Sequence, residues 1–198
     1  MIVYGITGSI ACGKSTVTNY LLERGYIVID ADKLSREALT IDKDSILKVD
    51  KLFGCVHDGI VDRKALGRIV FHDKKAKKKL EDIIHPYVIQ KLKEAIADNQ
   101  DKDFIFLDIP LLFESHLEYL CDKIIVVYLN EKTQVERLVK RDHIDEKYAK
   151  TIITNQMSTD EKKEKADIVL DNNQDRDELY RQIKKMMKGI KDGNIINE

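Results

Sequence analysis

Short apolar runs alternate along the chain with longer segments in which apolar residues recur every three or four positions. A continuous apolar run bounded by turn residues is typical of a parallel strand that is covered on both faces. Segments with helical spacing separate most of these runs, so the pattern predicts an α/β fold of three layers, with a five-stranded parallel sheet between helices. The predicted strands are Ile2–Thr7, Tyr26–Ile29, Phe104–Leu107, Ile124–Leu129 and Ile168–Leu170.

The alternation is interrupted once, between the second and third predicted strands. From residue 33 to residue 100 helical spacing dominates, with breaks at Phe53-Gly54, Asp58-Gly59 and His85-Pro86. Because a proline suits the first turn of a helix, the last break predicts that a helix starts at His85. The interval as a whole predicts a helical insertion into the α/β fold.

This pattern divides one domain, residues 1–198, into three parts. The predicted core consists of residues 1–32, 101–136 and 157–198, and the helical insertion occupies residues 33–100. Residues 137–156 are helical in spacing and rich in charge, and we expect them to form a small lid.

Composition narrows the class of protein. Of 198 residues, 43% are hydrophobic and 35% are charged, with a net charge of −1, as in a soluble globular protein. A nucleic-acid or membrane-surface protein usually carries a strongly basic face, so neither partner is expected. No signal peptide or membrane-spanning run is visible, and the three cysteines lack metal-ligand spacing. We therefore expect a cytoplasmic protein, a monomer or weak homo-oligomer, that uses a hard metal ion with oxygen ligands.

The segment Gly8–Ser15 matches the phosphate-binding pattern G-x-x-x-x-G-K-[ST] at every fixed position. Glycines let the backbone curl so that successive N–H groups point at phosphate oxygens, and the following helix presents its positive end to the same anion. We expect the lysine to reach the β and γ phosphates of ATP and the serine hydroxyl to bind Mg²⁺. The predicted nucleotide-binding residues are Gly8, Ser9, Ile10, Ala11, Cys12, Gly13, Lys14, Ser15 and Thr16.

The rest of the chain decides which kind of P-loop protein this is. The motifs D-x-x-G and N-K-x-D, which a GTPase switch needs, are both absent from the sequence. The length suits a small-molecule kinase, which needs a base near the acceptor hydroxyl and arginines that cover the phosphates. At Cys12 a small side chain is tolerated because the backbone does the binding, and redox control of the loop is the alternative.

Three aspartates stand at the ends of predicted strands. Asp30 and Asp32 follow the second strand, which we expect to lie next to the strand that feeds the P-loop, and strand alternation would point them the same way. One of them can act as the general base, while a helix-capping function is the alternative. Asp108 ends a run of four apolar residues, as does the carboxylate that meets Mg²⁺ in many P-loop proteins.

Two arginines lie four positions apart on the helix predicted after the fourth strand. Arg137 and Arg141 therefore share one face, from which they can offset negative charge on the transferring phosphate. A charged, solvated helix surface is the alternative interpretation. Arg141 is the stronger candidate of the two.

Further motifs, taken in order, resemble the dephospho-CoA kinase family from the first strand to the final helix. The opening matches T-G-x-I-x-x-G-K-S at Thr7–Ser15, and D-A-D matches Asp30–Asp32 with Arg36 four residues on. Later elements match at Asp62–Leu66 with Val70-Phe71, Ile83–Pro86, Pro110–Glu114, Gln156, Ala166-Asp167 and Asn172. One departure is the pair Asn173-Gln174, where many relatives carry a glycine.

The resemblance implies that the γ-phosphate of ATP is transferred to the 3′-hydroxyl of dephospho-CoA, with Mg²⁺ present. It implies that the insertion binds the acceptor. By the same resemblance Asp32 is the general base, with Lys14, Arg141 and Thr7 around the reacting groups, and Arg137 and Asn172 on the nucleotide. The acceptor-binding residues it implies are Asp32, Arg36, His85, Pro86 and Leu111, and the metal-binding ones are Ser15 and Asp108.

Two alternatives stay open from the sequence. A nucleoside or nucleoside-monophosphate kinase would share the core but accept a different hydroxyl. A non-catalytic nucleotide-binding module would bind ATP without consuming it, although the combination of Lys14, Asp32 and Arg141 argues against that class.

Overall fold

The computed structural model describes residues 1–193, with the backbone alone at position 72. In chain order its elements are β1 (Ile2–Thr7), α1 (Lys14–Leu22), β2 (Val28–Asp30), α2 (Ala31–Ala38), α3 (Lys43–Phe53), β3 (Val56–His57), β4 (Ile60–Val61), α4 (Arg63–His72), α5 (Lys74–Asp98), β5 (Phe104–Asp108), a 3-10 turn (Glu118–Leu120), β6 (Lys123–Tyr128), α6 (Glu131–Asp142), α7 (Glu146–Ile153), α8 (Thr159–Glu164), β7 (Ile168–Asp171) and α9 (Arg176–Lys191).

The chain divides into two compact units. One consists of Met1–Ile29 together with Gln100–Glu198, and the other of Asp30–Asn99. The predicted core range 157–198 ends in positions 194–198, which lie outside the described residues. We call the two units the nucleotide unit and the helical unit.

A five-stranded parallel sheet of order β2-β5-β1-β6-β7 organises the nucleotide unit, as the sequence predicted. One expectation was wrong: β2 pairs with β5 rather than with β1, which feeds the P-loop. Strand β5 occupies that place, with Ile2 opposite Phe104 and Ile6 opposite Asp108. The crossover through the insertion carries the chain back into the sheet between β2 and β1, so the carboxyl end of β5 lies beside the P-loop.

The apolar runs form strands because both of their faces are covered. In β1 every residue after Ile2 is buried. Tyr4 and Ile6 face a core that also receives alternate residues of β5 and β6 and the apolar faces of α1 and α9. The strand boundaries differ from the prediction by one or two residues, most at β2, which starts at Val28 rather than Tyr26.

Helices α6 and α7 form a hairpin that breaks where a non-glycine residue turns left-handed. His143 ends α6 with a φ of 53°, and Asp145 caps α7 by accepting the N–H of Tyr148 at 2.8 Å. Val135 and Leu138 of α6 pack with Ile153 of α7 in a small apolar cluster. The segment that we predicted as a lid, residues 137–156, therefore contains the second half of α6 and all of α7.

The helical unit has its own apolar core and a hairpin that the pattern did not predict. Aspartates at positions 42, 62 and 73 cap α3, α4 and α5 through bonds to backbone N–H groups. The predicted break at Asp58-Gly59 is the turn between β3 and β4, and both residues have positive φ, 50° and 78°. Asp-Gly in a two-residue turn of this kind favours a hairpin.

Helix α5 corrects the prediction that a helix starts at His85. It runs through that position for 25 residues, with Pro86 in its interior. Proline removes one backbone donor, yet the helix continues because Ile83, Val88 and Leu92 are buried on its packed face. None of the described helices is long and apolar enough to cross a membrane.

Two neighbouring leucines of α1 test which side of the helix covers the sheet. Leu21 is fully buried, whereas Leu22 is half exposed. We expect Leu21→Ala to lower the free energy of unfolding by about 2–5 kcal/mol, because it removes buried methyl groups and leaves a cavity. Leu22→Ala should change it by less than about 0.5 kcal/mol. Urea denaturation of both variants measures the difference, and equal losses would contradict the described packing.

Candidate active site

The loop between β1 and α1 presents the start of a helix without a side-chain cap. Gly13 is the N-cap residue of α1 with a φ of 92°, and no acidic residue stands in the first turn. Ala11 is also left-handed, with a φ of 62°. The loop therefore offers unpaired N–H groups and the positive end of a helix, which together favour an anion such as phosphate.

Two glycines of the loop are required by close approaches. A Cβ on Gly8 would lie 2.8 Å from the carbonyl oxygen of Val127 and 2.5 Å from the sulfur of Cys12. A Cβ on Gly13 would overlap the side-chain amide of Asn172. At these positions any larger residue would displace the loop from β6 or from the segment after β7.

Three polar side chains hold the loop from distant parts of the nucleotide unit. Gln156 accepts the N–H of Ile10 at 2.8 Å, and Gln134 donates to the carbonyl of Ile10 at 2.7 Å. Asn172 donates its side-chain amide to the carbonyl of Cys12 at 2.8 Å. Asn172, which we predicted to bind the nucleotide, thus holds the backbone of the loop. Gln156, which belongs to a family element, does the same.

Lys14 and Asp108 form an ion pair at the junction of the P-loop and β5. Their side chains are only 16% and 9% exposed, so the pair is largely shielded from water. The pair exists because β5 adjoins β1, which brings the carboxylate at the end of β5 beside the P-loop lysine. The predicted carboxylate and lysine are therefore in direct contact.

The residues at the end of β1 and after β5 are tied together. Thr7 is fully buried, and its hydroxyl donates to the carbonyl of Pro110 at 2.9 Å. Leu111, half-buried, follows in the same segment. Thr7 thus joins the strand that feeds the P-loop to the Pro110–Glu114 element.

The two arginines of α6 have different surroundings. Arg137 donates to the backbone carbonyl of Asn172 at 3.0 Å, and its guanidinium approaches Gly13 of the P-loop. Arg141 instead forms a two-bond contact with Asp142, at 2.7 and 2.8 Å, and its side chain is more than half exposed. That contact holds the pKa of the Asp142 carboxyl below its ordinary value, so the pair is ionised near neutral pH.

Magnesium suits the donors that the P-loop region offers. Ser15 is exposed at the start of α1 and carries a hydroxyl, and Asp108 supplies a carboxylate. Among the described residues there is no cluster of three or more metal-ligating side chains. Mg²⁺ typically uses one or two protein oxygens and completes its shell with water and substrate phosphates, which is compatible with this donor set.

Cys12 lies under the P-loop as a buried thiol. Its side chain packs against Gly8, and burial raises the pKa of the thiol above its ordinary value. Because the thiolate is the reactive form, this environment favours the interpretation of Cys12 as a small packing residue.

Four of the five predicted acceptor residues lie on α2 and α5 of the helical unit, which pack against each other, and the fifth, Leu111, belongs to the nucleotide unit. Asp30 caps α2 by accepting the N–H of Lys33 at 3.0 Å, whereas Asp32 is exposed in the first turn. Strand alternation would apply to these two aspartates only if the strand continued through both, and it does not, because α2 begins at Ala31. Arg36 is exposed one turn after Asp32, and on α5 the predicted residues are His85, half-buried, and Pro86, exposed.

Some residues of the site carried no functional prediction. Gln134 is 1% exposed, and Lys162 on α8 is fully buried in an ion pair with Glu114. Both occur in highly charged helical sequence, where a buried polar residue looks like its solvated neighbours. Glu114 did belong to a recognised family element, which was the available signal.

The sheet order, the glycine-rich loop at the end of its central strand and the adjacent lysine–aspartate pair define a P-loop kinase. Comparison with known proteins then identifies the family. The family model described as dephospho-CoA kinase matches residues 1–178. The chain belongs to the dephospho-CoA kinase family.

Similar proteins match over nearly the whole chain. A dephospho-CoA kinase of Fusobacterium nucleatum is 40% identical over 193 residues, which cover 96% of this chain and 99% of that protein. One of Oceanobacillus iheyensis is 43% identical, with 94% and 96% covered. The structure of dephospho-CoA kinase from Campylobacter jejuni superposes with a TM-score of 0.74 at 34% identity, with 96% and 98% covered.

Gly13 offers a test of the loop, with Gly25 as a matched control. Both glycines have positive φ, but a Cβ at Gly25 would meet nothing within 4 Å. We expect Gly13→Ala to weaken ATP binding about tenfold or more, because it displaces the N–H groups of the loop. Gly25→Ala should cost about 1 kcal/mol or more of stability through backbone strain alone and leave ATP affinity unchanged.

Isothermal titration calorimetry with ATP, together with a denaturation curve for each variant, separates the two effects. Unchanged ATP affinity in folded Gly13→Ala would contradict the assignment of the loop.

Proposed function

We propose that this protein transfers the γ-phosphate of ATP to the 3′-hydroxyl of the ribose of dephospho-CoA, giving CoA and ADP, in the last step of coenzyme A synthesis. The observation that supports it best is the family match over residues 1–178, which covers all of the helical unit and most of the nucleotide unit. P-loop kinases share the nucleotide unit and differ in the part that meets the acceptor. Continuity through the helical unit is therefore what points to this acceptor.

On the nucleotide side, the P-loop backbone holds the β and γ phosphates of ATP. Lys14 is paired with Asp108 beside the loop and would turn to the phosphate oxygens when ATP binds. Ser15 and Asp108 would hold Mg²⁺, which supplies positive charge to the phosphates when bound. Phosphoryl transfer depends mainly on such positioning and charge compensation.

On the acceptor side, Asp32 is the proposed general base and the helical unit is the proposed binding site. Asp32 is the exposed carboxylate of the pair, since Asp30 is engaged at the start of α2. An exposed carboxylate is free to receive the proton of an attacking hydroxyl. Arg36, His85, Pro86 and Leu111 complete the proposed acceptor contacts.

The proposed lid is residues 137–156, which comprise the second half of α6, all of α7 and the residues that follow it. Its Arg141 would leave Asp142 to meet the transferring phosphate, while Arg137 stays beside the P-loop. A lid that excludes water also suppresses hydrolysis of ATP without an acceptor. The proposal also includes that the protein is cytoplasmic and is a monomer or a weak homo-oligomer.

The acceptor and the base are tested together. We expect dephospho-CoA, rather than adenosine, AMP or CMP, to drive ADP release in a coupled assay with ATP and Mg²⁺. Asp32→Asn should lower that turnover about 100-fold or more, because the base is lost, while ATP affinity stays unchanged.

Asp30→Asn is the matched control, because asparagine caps a helix about as well as aspartate and should leave turnover near that of the unaltered protein. Faster turnover with AMP or CMP would reject the proposed acceptor and keep the P-loop kinase. Equal losses in the two aspartate variants would reject Asp32 as the base.

Pro86 tests whether α5 contributes to the acceptor site. A proline inside a helix is unfavourable by about 3 kcal/mol, so its presence at an exposed position needs an explanation. We expect Pro86→Ala to raise the stability of the protein and the KM for dephospho-CoA, with the KM for ATP unchanged.

Gln90→Ala, one turn further along α5, removes only a surface hydrogen bond to Glu94 and is the control. Unfolding curves and steady-state kinetics of both variants give the answer. A stabilised Pro86→Ala protein with unchanged acceptor kinetics would remove this residue from the proposed site.

A further inference from the structure

Helix α8 carries a lysine whose side chain is completely buried. The side chain of Lys162 is 0% exposed, and its ammonium lies 2.9 Å from a carboxylate oxygen of Glu114. The same ammonium donates to the carbonyl of Pro110 at 3.2 Å. Burying a charged lysine is costly unless it is paired and hydrogen-bonded, and here it is both.

The first partner of Lys162, the carbonyl of Pro110, also accepts a second hydrogen bond. Thr7, the last residue of β1, donates its hydroxyl to this same oxygen at 2.9 Å. Pro110 stands two residues after Asp108, which pairs with the P-loop lysine. Lys162 therefore fixes the segment after β5 at the point where it meets the strand that feeds the P-loop.

The second partner, Glu114, leads to the P-loop by another route. The carboxylate oxygen that meets Lys162 also accepts the N–H of Met157 at 3.0 Å. The carbonyl of Met157 in turn accepts the hydroxyl of Ser9, within the loop, at 3.2 Å. The other carboxylate oxygen of Glu114 is buried and has no hydrogen-bond partner among the described residues. The negative charge of Glu114 therefore depends on Lys162 for compensation.

Stability alone does not account for such a pair. A buried ion pair can often be replaced by apolar residues of similar size with little loss of stability, because desolvation cancels much of the attraction. The nucleotide unit contains a comparison in Lys123 and Asp167, which are about one-third exposed and join the amino ends of β6 and β7. That pair ties strands together at the sheet edge opposite the P-loop, whereas the Lys162–Glu114 pair bonds Pro110 and Met157, which in turn bond Thr7 and Ser9.

We propose that Lys162 and Glu114 are positioning residues for phosphoryl transfer, which hold Thr7 and Ser9 in place through Pro110 and Met157. Neither side chain needs to touch ATP. Lys162 acts through the carbonyl of Pro110 and Glu114 through the backbone of Met157, so the pair sets the position of the P-loop relative to the end of β5. The proposal rests on the nucleotide site of the proposed function and is independent of the acceptor.

Replacement of both charges by an apolar pair separates positioning from stability. We expect Lys162→Met to lower both ATP affinity and kcat/KM for ATP by about tenfold or more, because a small displacement of positioning groups has effects of that size. The double variant Lys162→Met/Glu114→Met should recover most of the lost melting temperature and little of the lost ATP affinity. Lys162→Arg, which keeps the charge, should restore part of the affinity.

Lys123→Met is the matched control, expected to lower the melting temperature while ATP affinity and kinetics stay within about twofold of the unaltered protein. Isothermal titration calorimetry with ATP alone gives the affinity, so the result does not depend on dephospho-CoA being the acceptor. If Lys162→Met does not fold, the double variant carries the test, since it buries no unpaired charge. Unchanged ATP affinity in the double variant, or equal kinetic losses in Lys123→Met and Lys162→Met, would overturn the proposal.

Discussion

The glycine-rich loop between β1 and α1 must hold a strained backbone that leads into a helix with no side-chain cap, and the rest of the nucleotide unit is arranged around that requirement. The loop passes through two left-handed residues, of which Ala11 carries a side chain and costs about 1–3 kcal/mol of strain. It has no side-chain cap at Gly13 to satisfy the first turn of the helix. Such a loop is unfavourable by itself, so other parts of the chain must impose it.

Long-range contacts impose this conformation on the loop. Gln134, Gln156 and Asn172 reach the loop across more than 120 residues of sequence and bind the backbone of Ile10 and Cys12. Each bond satisfies a carbonyl or an N–H that precedes Gly13, the residue at which α1 begins without a side-chain cap. The order of strands also fixes the surroundings of the loop, because β5 next to β1 brings the carboxylate of Asp108 to the P-loop lysine.

The sequence predicted what depends on local pattern and left out what depends on the partners of a side chain. Five apolar runs and the glycine spacing of the P-loop are local, and they were found with boundaries accurate to one or two residues. The place of β2 beside β5 depends on how the insertion crosses the sheet, and the pattern does not encode it. Helix α5 continues through Pro86 because packing on its buried face outweighs local preference. Lys162 and Gln134 look like ordinary members of charged helices, and only the fold shows that they are buried.

Charge compensation links these observations to phosphate binding. Lys14 and Arg141, the two cations expected to meet the γ-phosphate, are each held by an aspartate. The Lys14–Asp108 pair is mostly buried, so it orients the lysine firmly beside the loop. The Arg141–Asp142 pair is exposed, and pairs of that kind contribute only about 0–1 kcal/mol. The Arg141–Asp142 contact is therefore the easier of the two to break, which suits the role proposed for Arg141, whereas the shielded Lys14–Asp108 pair keeps the lysine beside the loop.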